Sequence, residues 1–207
     1  MDERVPDLRD RWPLPDLLDV RDALVTAYAD PARGYHDTRH LAEVLDRLDE
    51  LPPDFDRLPV LLAAWFHDGV YDAEPGAEER SAAWAEQALA GTPYAAEVAR
   101  LVRLTEHHRP ADDDTGGCAL SDADLAILAA PAERYGEYVA SVRAEYASVP
   151  DEAFRAARAA ILTDLLAKPH LFHTTYARAH WEARARANVS HEVSGACAGG
   201  DRPRGGD

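Results

Sequence analysis

Four short stretches of the sequence carry histidine and aspartate residues, whose side chains commonly bind first-row divalent metal ions. Imidazole nitrogens and carboxylate oxygens together form a mixed ligand set. A cation held by such a set would offset the cost of burying several of these groups at once. The eight residues are His36 and His40 in "YHDTRH", His67 and Asp68 in "FHD", His107 and His108 in "TEHHR", and Asp122 and Asp124 in "SDADLAIL".

Each of these residues also has a purely structural interpretation. A single histidine among apolar neighbours is most often a hydrogen-bonded core residue, and Asp122 would cap a helix predicted over 122–130 through its side-chain oxygen. Asp124 lies beyond that cap and is followed by the apolar run "LAIL". Because an unpaired carboxylate in apolar surroundings is very unfavourable, Asp124 favours the metal interpretation.

The elements that must position these residues are predicted to be helices, because apolar residues recur at steps of three and four along most of the chain. Alternating patterns typical of strands are essentially missing, so the sequence predicts an all-α helical bundle. Residues 1–193 are predicted to form one domain and residues 194–207 a disordered C-terminal tail. The predicted helices cover residues 14–30, 38–51, 58–68, 77–90, 93–108, 122–130, 132–147, 151–167 and 172–193.

The stretch "LPVLLAAWFHD" is apolar on all sides, as expected of a central helix, and then ends in His67 and Asp68. Adjacent residues of a helix point about 100° apart. Both side chains can therefore bind one ion only if it lies near the helix end, facing a groove between helices. The negative end of the helix dipole also favours a cation there.

Composition excludes several classes of partner. The chain of 207 residues has 22 basic and 38 acidic residues and a formal net charge of −16. A field of this sign repels a nucleic-acid duplex and an anionic membrane. A small phosphorylated ligand is still compatible with it, provided that a metal ion or local arginines reverse the sign inside one pocket.

Cysteine content and apolar runs predict a cytoplasmic protein. The only cysteines are Cys118 and Cys197, with no CxxC pair, which is typical of a reducing compartment. The first ten residues lack the apolar segment of a signal peptide. The longest apolar run, about residues 58–66, is too short to span a bilayer.

The motifs together resemble the HD superfamily of metal-dependent phosphohydrolases, whose signature is H…HD…D on an all-α bundle. More narrowly, "GYHDTRHL", "AAWFHDGVYD", "ERSA", "SDADLAIL" and "VRAEY" resemble an uncharacterised subgroup of predicted hydrolases. The resemblance covers about residues 12–193. It implies an HD-type bundle with a divalent metal (Mn, Fe, Co, Ni or Zn), one ion or two, whose ligands are His40, His67, Asp68 and Asp124.

The resemblance also implies an activity. It is the hydrolysis of a nucleotide or another small phosphate ester by metal-activated water, because a bound metal ion lowers the pKa of its water and polarises a phosphoryl oxygen. Arg39 and Arg143 are expected to help bind the phosphate. Each arginine is also readily explained as half of a surface salt bridge.

Three further residues are expected near the reaction. "HDGVYD" is similar to the "HD..ED" box of the alarmone hydrolases in this superfamily, with Tyr71 in place of the glutamate, so only Asp72 matches its acidic pair. Asp72 lies four residues beyond Asp68 and is expected to orient the water. His36 and His107 are expected either to bind a second metal or to contact the scissile phosphate.

Two other functions fit the same residues. A few HD proteins are iron-dependent oxygenases that hold two irons with additional histidines. A non-catalytic helical module that binds nucleotide or metal is the third interpretation. The placement of Asp124 and the histidines on otherwise apolar faces disfavours it.

Overall fold

The computed structural model describes residues 7–198, and this part of the chain is helical, with 67% helix and no strands. The predicted all-α class is confirmed. None of the described helices is long and apolar enough to cross a membrane. The α-helices are α1 (Leu18–Tyr28), α2 (Thr38–Glu50), α3 (Arg57–Phe66), α4 (Ala77–Ala88), α5 (Ala95–Leu104), α6 (Thr115–Asp124), α7 (Ala132–Glu145), α8 (Asp151–Ala167), α9 (Thr175–His180) and α10 (Glu182–Ala198), with short 3-10 helices at Leu8–Arg11 and Leu125–Ala129.

The chain divides into two compact units, Met1–Leu125 and Ala126–Asp207. Helices α1 to α6 belong to the first unit and α7 to α10 to the second. The expectation that residues 1–193 form a single domain stays a prediction.

Helix α3 is the centre of the first unit and packs against α2, α4, α5 and α6. Six of its residues are apolar and almost completely buried, which confirms the prediction of a central helix. Burying such side chains is the main favourable contribution to folding. These residues are Val60, Leu62, Ala63, Ala64, Trp65 and Phe66.

The start of α2 is fixed by Asp37, whose side chain accepts the backbone N–H groups of Arg39 and His40. This is the usual N-cap interaction, in which a short polar side chain satisfies free N–H groups of the first turn. His40 therefore lies in the first helical turn. His36 precedes the cap and lies outside the helix.

The helix predicted over 122–130 was wrong in its limits. The structure begins α6 at Thr115, where the Asp114 side chain accepts the Gly117 N–H, and continues with a 3-10 helix after Asp124. Asp122 is consequently a buried residue inside α6 and not its cap. Residues 115–121 had not been predicted as helical. Gly116 allows close packing there, since a Cβ at this position would lie 3.2 Å from Val60 Cγ2.

The second unit packs α10 against α8 and α9. The helix predicted over 172–193 is divided at Trp181 into α9 and α10. Helix α10 continues to Ala198, so residues 194–198 are helical where the sequence had predicted the start of a disordered tail. The rest of that predicted tail, residues 199–207, lies outside the described residues.

Candidate metal centre

Three helix ends in the first unit bring the four predicted ligands together. His40 lies in the first turn of α2, His67 and Asp68 directly follow α3, and Asp124 is the last residue of α6. One ligand atom from each of His40, His67 and Asp68 lies within 4.8 Å of the other two. Asp124 contacts both histidines. We call these four residues the His–Asp cluster.

The contacts within the His–Asp cluster are short. Nε2 of His40 lies 3.1 Å from Nε2 of His67, 3.2 Å from Oδ2 of Asp68 and 3.2 Å from Oδ1 of Asp124. Nε2 of His67 lies 3.0 Å from the same Asp68 oxygen and 3.6 Å from the same Asp124 oxygen. Two neighbouring ligands of one ion at about 2.0–2.1 Å are separated by roughly 2.8–3.0 Å in octahedral and 3.3–3.4 Å in tetrahedral geometry. Four of the five spacings, 3.0–3.2 Å, lie between these limits, and the distance of 3.6 Å from His67 to Asp124 is slightly longer.

The hydrogen bonds of His67 determine which ring nitrogen faces the cluster as an acceptor. Its Nδ1 lies 2.8 Å from the carbonyl oxygen of Ala64, and a carbonyl only accepts, so Nδ1 carries the proton. In the neutral imidazole, Nε2 then presents a lone pair toward the carboxylate of Asp68. The lone pair of His67 Nε2 and those of the Asp68 carboxylate repel each other at this distance, unless a proton or a cation lies between them. A metal-bound histidine that donates its other N–H to a carbonyl is the common arrangement.

Burial and charge shift the pKa of every member of the cluster. Desolvation acts to lower the pKa of His40, but hydrogen bonds to Asp124 and Asp68 outweigh it and raise the pKa to about 9. Desolvation acts to raise the pKa of Asp68, yet the positive charge of His67 holds it well below its usual range. Asp124 behaves in the same way, and its pKa is lowered. In the metal-free protein, therefore, protons on the imidazoles supply the positive charge that the carboxylates require.

His36 lies beside the cluster although it is outside α2. Its ring stacks on Tyr71 with centroids 3.8 Å apart, and it lies 5.6 Å from the ring of His40. Its positive charge contributes to the low pKa of Asp68. The structure thus brings His36 close to the predicted ligands.

The structure brings His108, and not His107, to the cluster. The side chain of His107 is 71% exposed and pairs with Glu106 at 3.8 Å. His108 turns the chain after α5 with φ of 48°, a left-handed conformation uncommon outside glycine. Its Nε2 lies 3.5 Å from Oδ2 of Asp124 and its Nδ1 3.1 Å from Ser121 Oγ. In the sequence the two histidines are adjacent, and only the turn decides which one faces inward.

Asp72 and Arg39 lie on the surface. The side chain of Asp72 is about half exposed and pairs with Arg80 at 2.6 Å. Helix α3 ends at Phe66, so a spacing of four residues beyond Asp68 does not place Asp72 on the same helical face. Arg39 is exposed and pairs with Glu43 at 3.2 Å along α2, which is the surface salt bridge that the sequence also allowed.

Arg143 belongs to the second unit, where it lies in the last turn of α7. Its guanidinium donates to the carbonyls of Tyr146 and Val149 and pairs with Asp151 at 2.6 Å. It also lies over the ring of Phe154 at 4.9 Å. These contacts give Arg143 a local structural role in joining α7 to α8.

Sequence reasoning missed two residues that contact the backbone of the cluster. Tyr28 is completely buried and its hydroxyl accepts the N–H of Asp68 at 3.2 Å. Arg33 donates to the carbonyl of Asp68 at 2.7 Å. No signal in the sequence indicated either contact.

Comparison of the chain with protein-family models, with curated proteins and with solved structures finds no match. The fold and the site therefore define the protein as an all-α protein with a His–Asp cluster that can hold a metal ion.

Proposed function

We propose that the protein is an HD-type metal-dependent phosphohydrolase that acts on a nucleotide or another small phosphate ester. The observation that carries the proposal is the convergence of two imidazole nitrogens and two carboxylate oxygens at 3.0–3.6 Å. Three separate helices supply these atoms, and both histidines are 1% exposed. Such a donor set suits Mn, Fe, Co, Ni or Zn in the divalent state.

When bound, the metal lowers the pKa of a bound water toward about 7 and polarises a phosphoryl oxygen. Solvent access and proton transfer depend on the side chains of the protein. Asp68 and Asp124 are more exposed than the two histidines, so the cluster opens to solvent on its carboxylate side. His36 lies near Asp68 and His108 near Asp124. These two imidazoles take the place of Asp72 and His107 as the groups that hold or move a proton.

The charge of the cluster is compatible with a phosphate despite the net charge of −16. One divalent cation balances the two carboxylates, so the occupied cluster is close to neutral. A small phosphate ester is accordingly not repelled at this position, whereas a long polyanion still meets the field of the whole chain.

An iron-dependent oxygenase is the second candidate. The placement of both His36 and His108 beside the cluster favours it, because additional imidazoles suit a second iron. Protein purified without oxygen would then contain iron and absorb visible light. The same preparation would show no phosphate release from nucleotides.

The test of the phosphohydrolase proposal combines elemental analysis with turnover. We expect about one divalent ion per chain in the purified protein, its loss in Asp68→Ala, and slow hydrolysis of a nucleotide or generic phosphodiester with Mn²⁺, Co²⁺ or Ni²⁺. His108→Ala is expected to reduce turnover roughly 10²–10⁴-fold, the usual contribution of a proton-transfer group. Its matched control, His107→Ala, removes the exposed neighbour and is expected to have no effect.

Two results would contradict the proposal. Absence of metal from both the wild-type protein and Asp68→Ala would remove its basis. Bound metal without turnover above that of Asp124→Ala, across the whole panel of nucleotides, would instead identify a non-catalytic binding module.

A further inference from the structure

Asp68 lies past the end of α3, where the last carbonyl groups of a helix lack partners within it. Two side chains bind the N–H and C=O groups of Asp68. The N–H of Asp68 donates to Tyr28 Oη at 3.2 Å, and its carbonyl accepts from Arg33 at 2.7 Å. Both polar backbone groups of this one ligand residue are therefore held by side chains from outside its own segment.

Arg33 binds two further carbonyls with the same guanidinium. It donates to His36 at 3.0 Å and to Gly69 at 3.0 Å. Its Cζ also lies 5.1 Å from the centre of the Tyr28 ring, within the distance of a cation–π contact. A single side chain thus joins the loop that precedes α2 to the turn that follows α3.

We propose that Arg33 is a positioning residue of the metal centre, which fixes the Asp68 peptide so that the Asp68 carboxylate points into the His–Asp cluster. This inference rests on the proposed metal centre. Arg33 binds carbonyl oxygens of Asp68, Gly69 and His36 and makes no contact with the Asp68 carboxylate. Arg33 therefore fixes the position of the Asp68 peptide. It does not neutralise the Asp68 carboxylate, whose charge is balanced within the His–Asp cluster.

The guanidinium suits this role better than an ammonium would. Arginine presents five N–H donors in a rigid planar fork, whereas lysine carries its donors on one freely rotating nitrogen. Three carbonyls in fixed positions match the fork. We expect lysine at position 33 to recover one or two of these bonds and to restore the geometry only in part.

Arg186 supplies a matched control within the second unit. Its guanidinium also binds three carbonyls, those of Leu166, Lys168 and Pro169, at 3.1, 2.8 and 3.0 Å. Arg186→Ala therefore removes the same kind of backbone contact without touching a residue that contacts the His–Asp cluster. It reports the general cost of losing such an arginine.

The experiment is a titration of the chelator-treated full chain with Co²⁺, followed by the visible absorbance of the ion. Groups that support metal ligands typically change metal affinity by about 10–100-fold when removed. We expect Arg33→Ala to weaken Co²⁺ binding by that factor and to change the absorbance spectrum. Arg33→Lys is expected to give an intermediate affinity, and Arg186→Ala the affinity and spectrum of the wild type. Thermal unfolding of each variant shows that it is folded.

The outcomes separate this inference from the proposed metal centre. Wild-type protein that gives no Co²⁺ spectrum overturns both. A wild-type spectrum and affinity in Arg33→Ala, or an equal loss in Arg186→Ala, overturns the role of Arg33 alone. If Arg33→Ala does not fold, Arg33→Lys and Tyr28→Phe decide, because each keeps most of the packing while it removes contacts to the Asp68 peptide. Unchanged spectra and affinities in both variants then overturn the inference.

Discussion

Two clusters of this protein bury carboxylates to the same extent but balance their charge differently. In the first unit, the side chains of Asp68 and Asp124 are 13% and 15% exposed and face imidazoles. In the second unit, Glu192 is 16% exposed and is paired with Arg158, which is itself 13% exposed. Tyr135 completes this second group with a hydrogen bond of 2.5 Å to Glu192.

This difference shows whether each cluster needs a proton or a metal ion from solution to balance its charge. Arg158 is always charged, so the carboxylate of Glu192 has a permanent partner. Within the described residues, neither Asp68 nor Asp124 pairs with an arginine. In this part of the chain the ion-pair partners of the two carboxylates are histidines, which carry charge only when protonated. The Arg158–Glu192 pair is electrostatically complete, whereas the His–Asp cluster requires protons or a metal ion.

The largest expected effect on stability comes from breaking the Arg158–Glu192 pair. Arg158→Ala leaves Glu192 partly buried without a cation, and loss of one partner of a buried pair costs about 3–5 kcal/mol. We expect a decrease of this size in the free energy of unfolding, measured by urea denaturation. Metal content should be unchanged.

The matched control for that change removes both charges. Arg158→Met combined with Glu192→Leu replaces the pair by apolar side chains of similar size, which is often neutral or stabilising. An equal loss of stability in the single and the double variant would show that packing, and not the unpaired carboxylate, explains the cost.

The next effect concerns the binding of a metal ion by the His–Asp cluster. A metal ion that binds only the folded state, at about 100 times its dissociation constant, raises the free energy of unfolding by about 2.7 kcal/mol. We expect wild-type protein to gain stability of this order with Mn²⁺ or Co²⁺, and Asp68→Asn to gain none. Thermal unfolding with the metal and with a chelator measures the difference. An equal gain in Asp68→Asn would locate the binding elsewhere.

The smallest effect is a pH dependence of the metal-free protein. The pKa of His40 is about 9 in the folded state and returns toward 6.5 on unfolding, so protonation of His40 stabilises the fold fully below pH 6.5. This stabilisation is lost as the pH rises through 9. The carboxylates are ionised in both states over this window and add no slope. The difference of about 2.5 between these two pKa values corresponds to about 3.4 kcal/mol in full, at about 1.4 kcal/mol per unit. Between pH 6.5 and 9 we expect His40 alone to account for a loss of about 2.6 kcal/mol.

Urea denaturation at several pH values between 6.5 and 9, in the presence of a chelator, measures this loss. With saturating metal the ion replaces the protons, so stability should fall less or not at all, because metal binding strengthens as its ligands lose protons. Metal-free protein that becomes more stable as the pH rises would contradict the charge assignment of the cluster.

Much of the fold could be predicted from the sequence because its signals are local. Steps of three and four between apolar residues identified α2, and the all-apolar stretch identified α3 as a buried helix. Errors occurred where tertiary packing overrides local preference. Residues 115–121, which the sequence had not assigned to a helix, lie inside α6, where the small size of Gly116 allows contact with Val60 of α3.

The sequence by itself determined the helical class and the central helix, because residue type and helical period are written directly in the order of residues. The set of four side chains in the His–Asp cluster was expected from the resemblance of the motifs to the HD superfamily. Only the tertiary structure decided that His108 faces the cluster while His107 is exposed, and that Arg33 and Tyr28 hold the Asp68 peptide. These choices depend on the direction of turns beyond helix ends and on contacts between segments far apart in the chain, which no local pattern encodes.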